Sequence, residues 1–382
     1  MKGRKRKITM AVLLLLLAIN LTSCALITLI KKNDATPGNS PFMQKISFNP
    51  YSVGICLEDV NTDHAKYVAD IDEFYIHFDS CVAKKHRSIF VRSSSQDNFS
   101  SLDCLDKYGL KGCYRTIYST NSGSYFAIYE LEYYPGDSIV YAYLNNDRSL
   151  LSQKELEIYR FAVDFVNNRL DSKMSDYDKE IIIHDYICET LGYQKEADND
   201  ADKYNITGAY CLTTGFANCQ GYTDAFYMLT NMAGIRCQKV SGEAQGTAHT
   251  WNVVNIDGRW SYVDVTFDDT AFDSDEVIFY AYCNVPEEYL EKSHIFSEDQ
   301  ILFPTTGYED FYYKRKGNAV FNKEDFRQIV YLPISEGATR VEAFILIKEI
   351  QPLLDTLKDL NKSMQLSYFE INECTLLDIT VQ

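Results

Sequence analysis

The chain reads as an α+β protein in which a helix packs beside an antiparallel sheet, with α/β segments on either side. Three observations carry this reading. After Asn218, the apolar residues Tyr222, Ala225, Phe226, Leu229, Met232 and Ala233 recur at helical spacing until Gly234. The runs NVVNI and RWSYV flank Asp257-Gly258, a two-residue hairpin signal suited to a type I′ turn. Upstream, LSQKELEIYRFAVDFVNNRL and SDYDKEIIIHDYICETL read as two helices divided near Asp171.

In chain order, Lys2, Arg4, Lys5, Arg6 and Lys7 precede the mostly apolar stretch Thr9–Leu21, the pattern of an export signal. Leu21-Thr22-Ser23-Cys24 resembles the lipobox of bacterial lipoproteins, so residues 1–24 are taken as a signal ending at a lipidated Cys24. The alternative is an uncleaved transmembrane anchor, because apolar residues continue to Ile30. Both place the rest of the chain on the extracytoplasmic face of the cell membrane. Residues 25–45, with KKNDATPGNS, read as a tether. Residues 46–150 form an N-terminal α/β region, with a helix around 65–82 and strand-like runs SIFVRSS, YFAIYELEYY and SIVYAYL. Residues 151–300 are the core. Its second helix starts at the caps Ser175 and Asp176, and His184 is placed at a helix boundary, outside the catalytic group. Residues 195–218 are a loop into the Cys219 helix, and 270–300 a mixed connecting segment. Residues 301–382 read as strand–helix–strand, with strands QIVYLPI and SYFEINE around a helix at 341–360.

Composition narrows the function. A hydrophobic content of 46%, with 29 Tyr and 21 Phe among 382 residues, specifies a folded chain. Loss of the signal removes five basic side chains and no acidic one, taking the net charge from −17 to −22. Such a surface argues against nucleic acid as a partner and against electrostatic adhesion to anionic lipid. There is no C-x-x-C pair, no H-E-x-x-H and no EF-hand loop, so no metal or other cofactor is expected. Apart from Cys24 and Cys219, nine cysteines remain, with Cys104 and Cys113 the nearest neighbours, and their spacings form no disulfide framework.

The chemistry gathers at three residues. Asn218 is a good N-cap, which puts Cys219 in the first turn of a helix, where the helix dipole and free N–H groups favour a thiolate and can receive an oxyanion. Gly221 leaves room beside the sulfur for a substrate backbone. Closing the hairpin at Asp257-Gly258 pairs Ile256 with Arg259, Trp251 with Asp264 and His249 with Thr266. His249 and Asp264 then become diagonal neighbours on one face, roughly 7–8 Å apart at the backbone. Asp264 would hold the imidazole in one tautomer while its other nitrogen faces Cys219, with Trp251 shielding the contact.

The fragments CQGY at 219–222, HTWN at 249–252 and YVDVT at 262–266 resemble the transglutaminase-like superfamily over roughly residues 175–270. The resemblance implies a papain-like core, with the Cys helix packed on an antiparallel sheet that carries His and Asp. It also implies Cys219 as nucleophile, His249 as base and acid, and Asp264 as the orienting residue. Thr250 and Phe267 depart from the usual Ala and Trp without touching the triad. The superfamily spans cross-linking acyltransferases, peptidases, amidases and inactive members, some cross-linking relatives requiring calcium. The expectation is therefore an exported thiol enzyme acting on amide or peptide bonds of a protein or peptide at the cell surface. A non-catalytic envelope-binding lipoprotein that keeps the fold is the alternative. The Cys219 N–H is the natural first oxyanion donor; Gln220, Tyr210 and Asn218 are candidates for the second.

Overall fold

A computed structural model describes the strand at 44–47 and residues 65–100, 110–119, 123–195, 206–270, 278–298, 303–305 and 307–382. The signal, Cys24 and the tether up to residue 43 lie outside the described residues. Among those described, no helix is long and apolar enough to cross a membrane.

Five strands open the chain: β1 (Gln44–Ser47), β2 (Lys66–Tyr67), β3 (Ser88–Ser93), β4 (Leu110–Ser119) and β5 (Tyr125–Tyr133). They form a sheet ordered β1-β4-β5-β3-β2. The helix Ile71–Ala83, capped by Asp70, buries Phe74 and Phe78 in a core shared with Val91 and Tyr129. The reading of SIVYAYL as a strand is overturned, because Pro135–Asn145 is a helix. Pro135 starts it with a preset φ, and Ile139, Ala142 and Tyr143 then fall on one helical face against the central core.

The central region holds a short parallel ribbon of β6 (Gly192–Tyr193) and β7 (Phe216–Ala217). It also holds β8 (Arg236–Ala244), β9 (Thr247–Ile256), β10 (Arg259–Val263), β11 (Cys283–Val285) and β12 (His294–Phe296) in the order β11-β10-β9-β8-β12. The predicted turn is present: Asp257 and Gly258 both have positive φ, and Ile256 pairs with Arg259. The hairpin ladder runs to Asn252 opposite Val263 and stops there. Thr266 is therefore not opposite His249, whose ladder partner is Gly242 on β8. The chain leaves the sheet at Asp264 and enters the short helix Val265–Thr270.

Helices Gln153–Arg169, Asp176–Thr190 and Cys219–Met232 pack together with Val254, Ile256 and Val263 of the hairpin. Val253, Trp251 and Tyr262 contribute to a second core. Ser152 and Glu155 form a capping box on the first helix, and Ser175 caps the second. His184 lies inside the second helix, fully buried, not at its boundary. The segment expected to be merely connecting supplies both edge strands, β11 and β12.

The C-terminal sheet has β13 (Ala319–Val320), β14 (Arg340–Ile345), β15 (Met364–Ile371) and β16 (Cys374–Val381) in the order β13-β14-β16-β15. SYFEINE lies largely in β15 as expected, but two other elements differ. QIVYLPI belongs to a helical run from Lys323 to Ser335 with a π turn at Arg327–Tyr331. Asn322 caps this run, and Phe326, Val330 and Ile334 recur every four residues on its buried face. Residues 340–345 form β14, because Val341, Ala343 and Ile345 alternate toward the C-terminal core; the helix is confined to Gln351–Leu360. Phe344, on the other face of β14, stacks on Tyr313 at 4.7 Å and joins this sheet to the second core.

Candidate active site

The helix Cys219–Met232 begins as its sequence dictates. The Asn218 side chain accepts the Gly221 N–H at 3.2 Å, so Cys219 occupies the first helical position and stays half-buried. The Thr223 hydroxyl donates to the Thr250 carbonyl at 2.9 Å, and the Asn252 amide donates to the Thr223 carbonyl at 3.1 Å. These contacts lash the helix to β9. Gly221 has a different use from the one expected. A Cβ there would collide with the Ile206 carbonyl oxygen and lie 2.8 Å from the Ala217 Cβ, so the space is filled by the incoming chain, not left for a ligand. The Asn218 N–H donates to that same Ile206 carbonyl at 3.0 Å.

Cys219, His249 and Asp264 come together. Burial alone would push the Cys219 thiol up, but its hydrogen bond with His249, the imidazolium charge and the Thr250 N–H outweigh burial and lower it. His249 Nε2 lies 2.7 Å from Asp264 Oδ2. That carboxylate oxygen can only accept, so Nε2 carries the proton and the remaining nitrogen, Nδ1, is the one available to the sulfur. Burial opposes a charge on His249, yet Asp264 and Cys219 raise it to about 10. Asp264 is fully buried, which disfavours its charge, but His249 and His294 hold its carboxyl well below the usual range. Trp251 stacks on His249 at 5.9 Å and Phe267 packs at 4.9 Å. Trp251 is wholly buried and closes the far side of the His–Asp contact to water.

The other described thiols are raised by burial: Cys374 to about 11, Cys113 and Cys237 to about 12, and Cys81, Cys188, Cys211 and Cys283 upward as well. All eight described cysteines are unpaired. Among them Cys219 alone is shifted toward the thiolate. His184 belongs to a separate buried network, with Nε2 3.2 Å from Asp268 Oδ2, Nδ1 3.2 Å from Asp185, and the Tyr280 ring stacked over it.

Two neighbours escaped the sequence reading. His294 on β12 places Nε2 2.9 Å from Asp264 Oδ2, and nothing local in SHIF announces it, because its partner lies thirty residues away. Tyr193 on β6 is half-exposed; burial raises its phenol first, and the charges of Cys219 and Asp264 add to the rise, which places it beside the site. Of the proposed second oxyanion donors, Tyr210 is buried beneath Lys154, whereas Gln220 and Asn218 are half-buried beside the sulfur. Among the described residues, ligand atoms of His249, Asp264 and His294 lie within 4.8 Å of one another. Each of those atoms is already engaged in a hydrogen bond, so an ion would have to break the His–Asp contacts.

Part of the chain is similar to known proteins. Residues 164–265 match the transglutaminase-like superfamily. The kyphoscoliosis peptidase of Mus musculus is 26% identical over 185 residues, covering 43% of this chain and 27% of that protein. Its Homo sapiens counterpart is 27% identical over 159 residues, covering 35% and 24%. The chain thus spans about a quarter of the length of these curated relatives. A solved structure described as a TGase is 17% identical, covers 47% of this chain and 51% of its own, and superposes with a TM-score of 0.26, too slight to bear on activity. The chain carries a transglutaminase-like domain within a mixed helix-and-sheet fold.

Proposed function

We propose that this transglutaminase-like domain is a thiol acyltransferase or peptidase working through Cys219, His249 and Asp264, on protein or peptide substrates at the outer face of the cell membrane. The observation that carries the reading is the one thiol lowered among the described cysteines, hydrogen-bonded to an imidazole that is itself held by a buried carboxylate. The Cys219 thiolate attacks an amide carbonyl, and the oxyanion forms against the Cys219 N–H at the helix start. His249 gives the Nδ1 proton to the departing amine as the C–N bond breaks, leaving a thioester. Water or a primary amine then attacks the thioester, His249 takes its proton, and the thiolate is restored. Asp264 stays ionised throughout and keeps Nε2 protonated. The chemistry calls for no metal. The peptidase name of the mammalian relatives favours water as acceptor.

The expected export signal and lipidated Cys24 supply the location, and a strongly acidic chain suits a solvated position outside the cell. Fast alkylation of Cys219 by iodoacetamide near pH 6 that disappears in His249→Ala supports the thiol mechanism; a rate no faster than that of a free thiol sinks it. Incubating the enzyme with a glutamine-containing peptide, with and without a primary amine, and weighing the products separates hydrolysis from cross-linking. Globomycin-sensitive processing of the precursor at Cys24 tests the anchor.

A further inference from the structure

We infer that His294 is a positioning residue of this site, donating a second imidazole N–H to Asp264 so that the carboxylate stays ionised and aimed at His249. The inference rests on the proposed thiol mechanism. Asp264 uses both oxygens: Oδ1 accepts the Phe267 N–H at 3.1 Å, while Oδ2 accepts His249 at 2.7 Å and His294 at 2.9 Å. The carboxylate is fully buried, and an isolated anion there would take up a proton unless donors surround it. Of its three donors, one is backbone and one is the base it serves. His294 is the remaining one.

The orientation of the His294 ring follows from its partners. Oδ2 can only accept, so Nε2 carries hydrogen. Ser293 Oγ lies 2.8 Å from Nδ1 and donates to the Leu290 carbonyl at 3.3 Å, so the far nitrogen of the ring is tied to the chain as well. The ring is held among Phe267 and Trp251, both at 4.8 Å, and Tyr282 at 5.7 Å, and β12 fixes its backbone by pairing His294 with Ala244. The ring has no room to swing away. The titratable groups around Asp264 are therefore Cys219, His249 and Tyr193 on the thiol side, with Tyr282 and Asp268 on the other.

The test is the pH profile of Cys219 alkylation by iodoacetamide in the full chain, with folding followed by circular dichroism. If His294 sustains the anion, His294→Ala moves the acid limb upward by about one pH unit, making alkylation about tenfold slower at a fixed pH on that limb. His294→Gln, whose amide can donate to Oδ2, returns the profile toward the wild type. A side chain that only fills space would change stability and leave the profile in place. A folded His294→Ala protein with the wild-type profile, or a Gln variant that behaves like Ala, overturns the inference. Should His294→Ala not fold, Ser293→Ala decides: loss of the contact at Nδ1 loosens the ring and moves the limb the same way by less, and an unmoved limb overturns the inference. Wild-type reactivity that does not depend on His249 defeats the thiol mechanism itself, a result distinct from either outcome at His294.

Discussion

Replacing Asp264 with Asn keeps the shape of the side chain and removes its charge. The rise of His249 from 6.5 to about 10 corresponds to roughly 5 kcal/mol in favour of the imidazolium. After the opposing cost of burial, Asp264 is the foremost cause and Cys219 follows. If about half of that preference comes from Asp264, its loss is worth about 2–3 kcal/mol, or on the order of a hundredfold in the imidazolium–thiolate population. The hydrogen bonds sharpen the effect. An Asn has one acceptor oxygen, whereas the site presents the Phe267 N–H on one side and two imidazole N–H groups on the other. If the amide nitrogen turns toward the imidazoles, His249 must accept at Nε2 and carry hydrogen at Nδ1, the wrong tautomer for a base. Iodoacetamide labelling of Cys219 at about pH 6, read by intact mass, is expected to slow on the order of a hundredfold. The raised thiols elsewhere keep the signal specific. A folded Asp264→Asn protein that labels as fast as the wild type would refute the reasoning.

Gly221→Ala drives a methyl group into the Ile206 carbonyl and is expected to cost about 1–3 kcal/mol by chemical denaturation while slowing Cys219 labelling; an unchanged midpoint would mean that the chain before Asn218 yields freely. Lys239 lies half-buried between Asp137 and Asp224, the latter at 3.1 Å, so Lys239→Met leaves the buried Asp224 without its cation and Asp137 with Lys85 alone, and is expected to cost about 3 kcal/mol, measured the same way. Stability should fall as pH rises from neutrality toward 10. His249 is raised from 6.5 to about 10 and Glu180, chiefly by burial, from 4.5 to about 8. A raised folded-state pKa stabilises fully below the unfolded value and is lost on passing upward through the folded one, so Glu180 withdraws first and His249 last. A melting temperature that climbs between these limits would contradict both shifts.

The parts of the site that could be read from sequence are those fixed by local chemistry. Asn218 capping, the stop signal at Gly234 and the Asp257-Gly258 turn each depend on a few adjacent residues, and the structure has all three, with the helix ending at Met232 and Gly234 at positive φ. The hairpin register follows from the turn as far as Asn252 and Val263. It fails one residue later, because Asp264 starts a helix and the pairing rule has no term for where a strand ends. His294 was invisible for a related reason: its meaning depends on β12 lying against β8, a contact across fifty residues. The misread flanks share another cause. SIVYAYL and QIVYLPI are rich in β-branched and aromatic residues, but a proline at the first helical position and a capping asparagine, with apolar residues at helical spacing, settle them as helices. Residues 340–345 went the other way, because alternation over six residues is too short to outweigh a helical-looking run that follows.

The short helix Val265–Thr270 gathers ties from four elements. β9 reaches its start through His249 and Asp264, β12 through His294, the Asp176–Thr190 helix through His184 and Asp268, and the stretch leading into β11 through the Tyr282 N–H on Asp268. The ties converge on two carboxylates, Asp264 and Asp268, four residues apart. Local fraying of this turn is thereby suppressed, and its amides, Phe267 foremost, would exchange with solvent hydrogen only when the whole domain unfolds. The chemistry is thus built on a segment whose order is all-or-none, and the loss of any one tie would be felt as a loss of cooperativity before it was felt as a loss of shape.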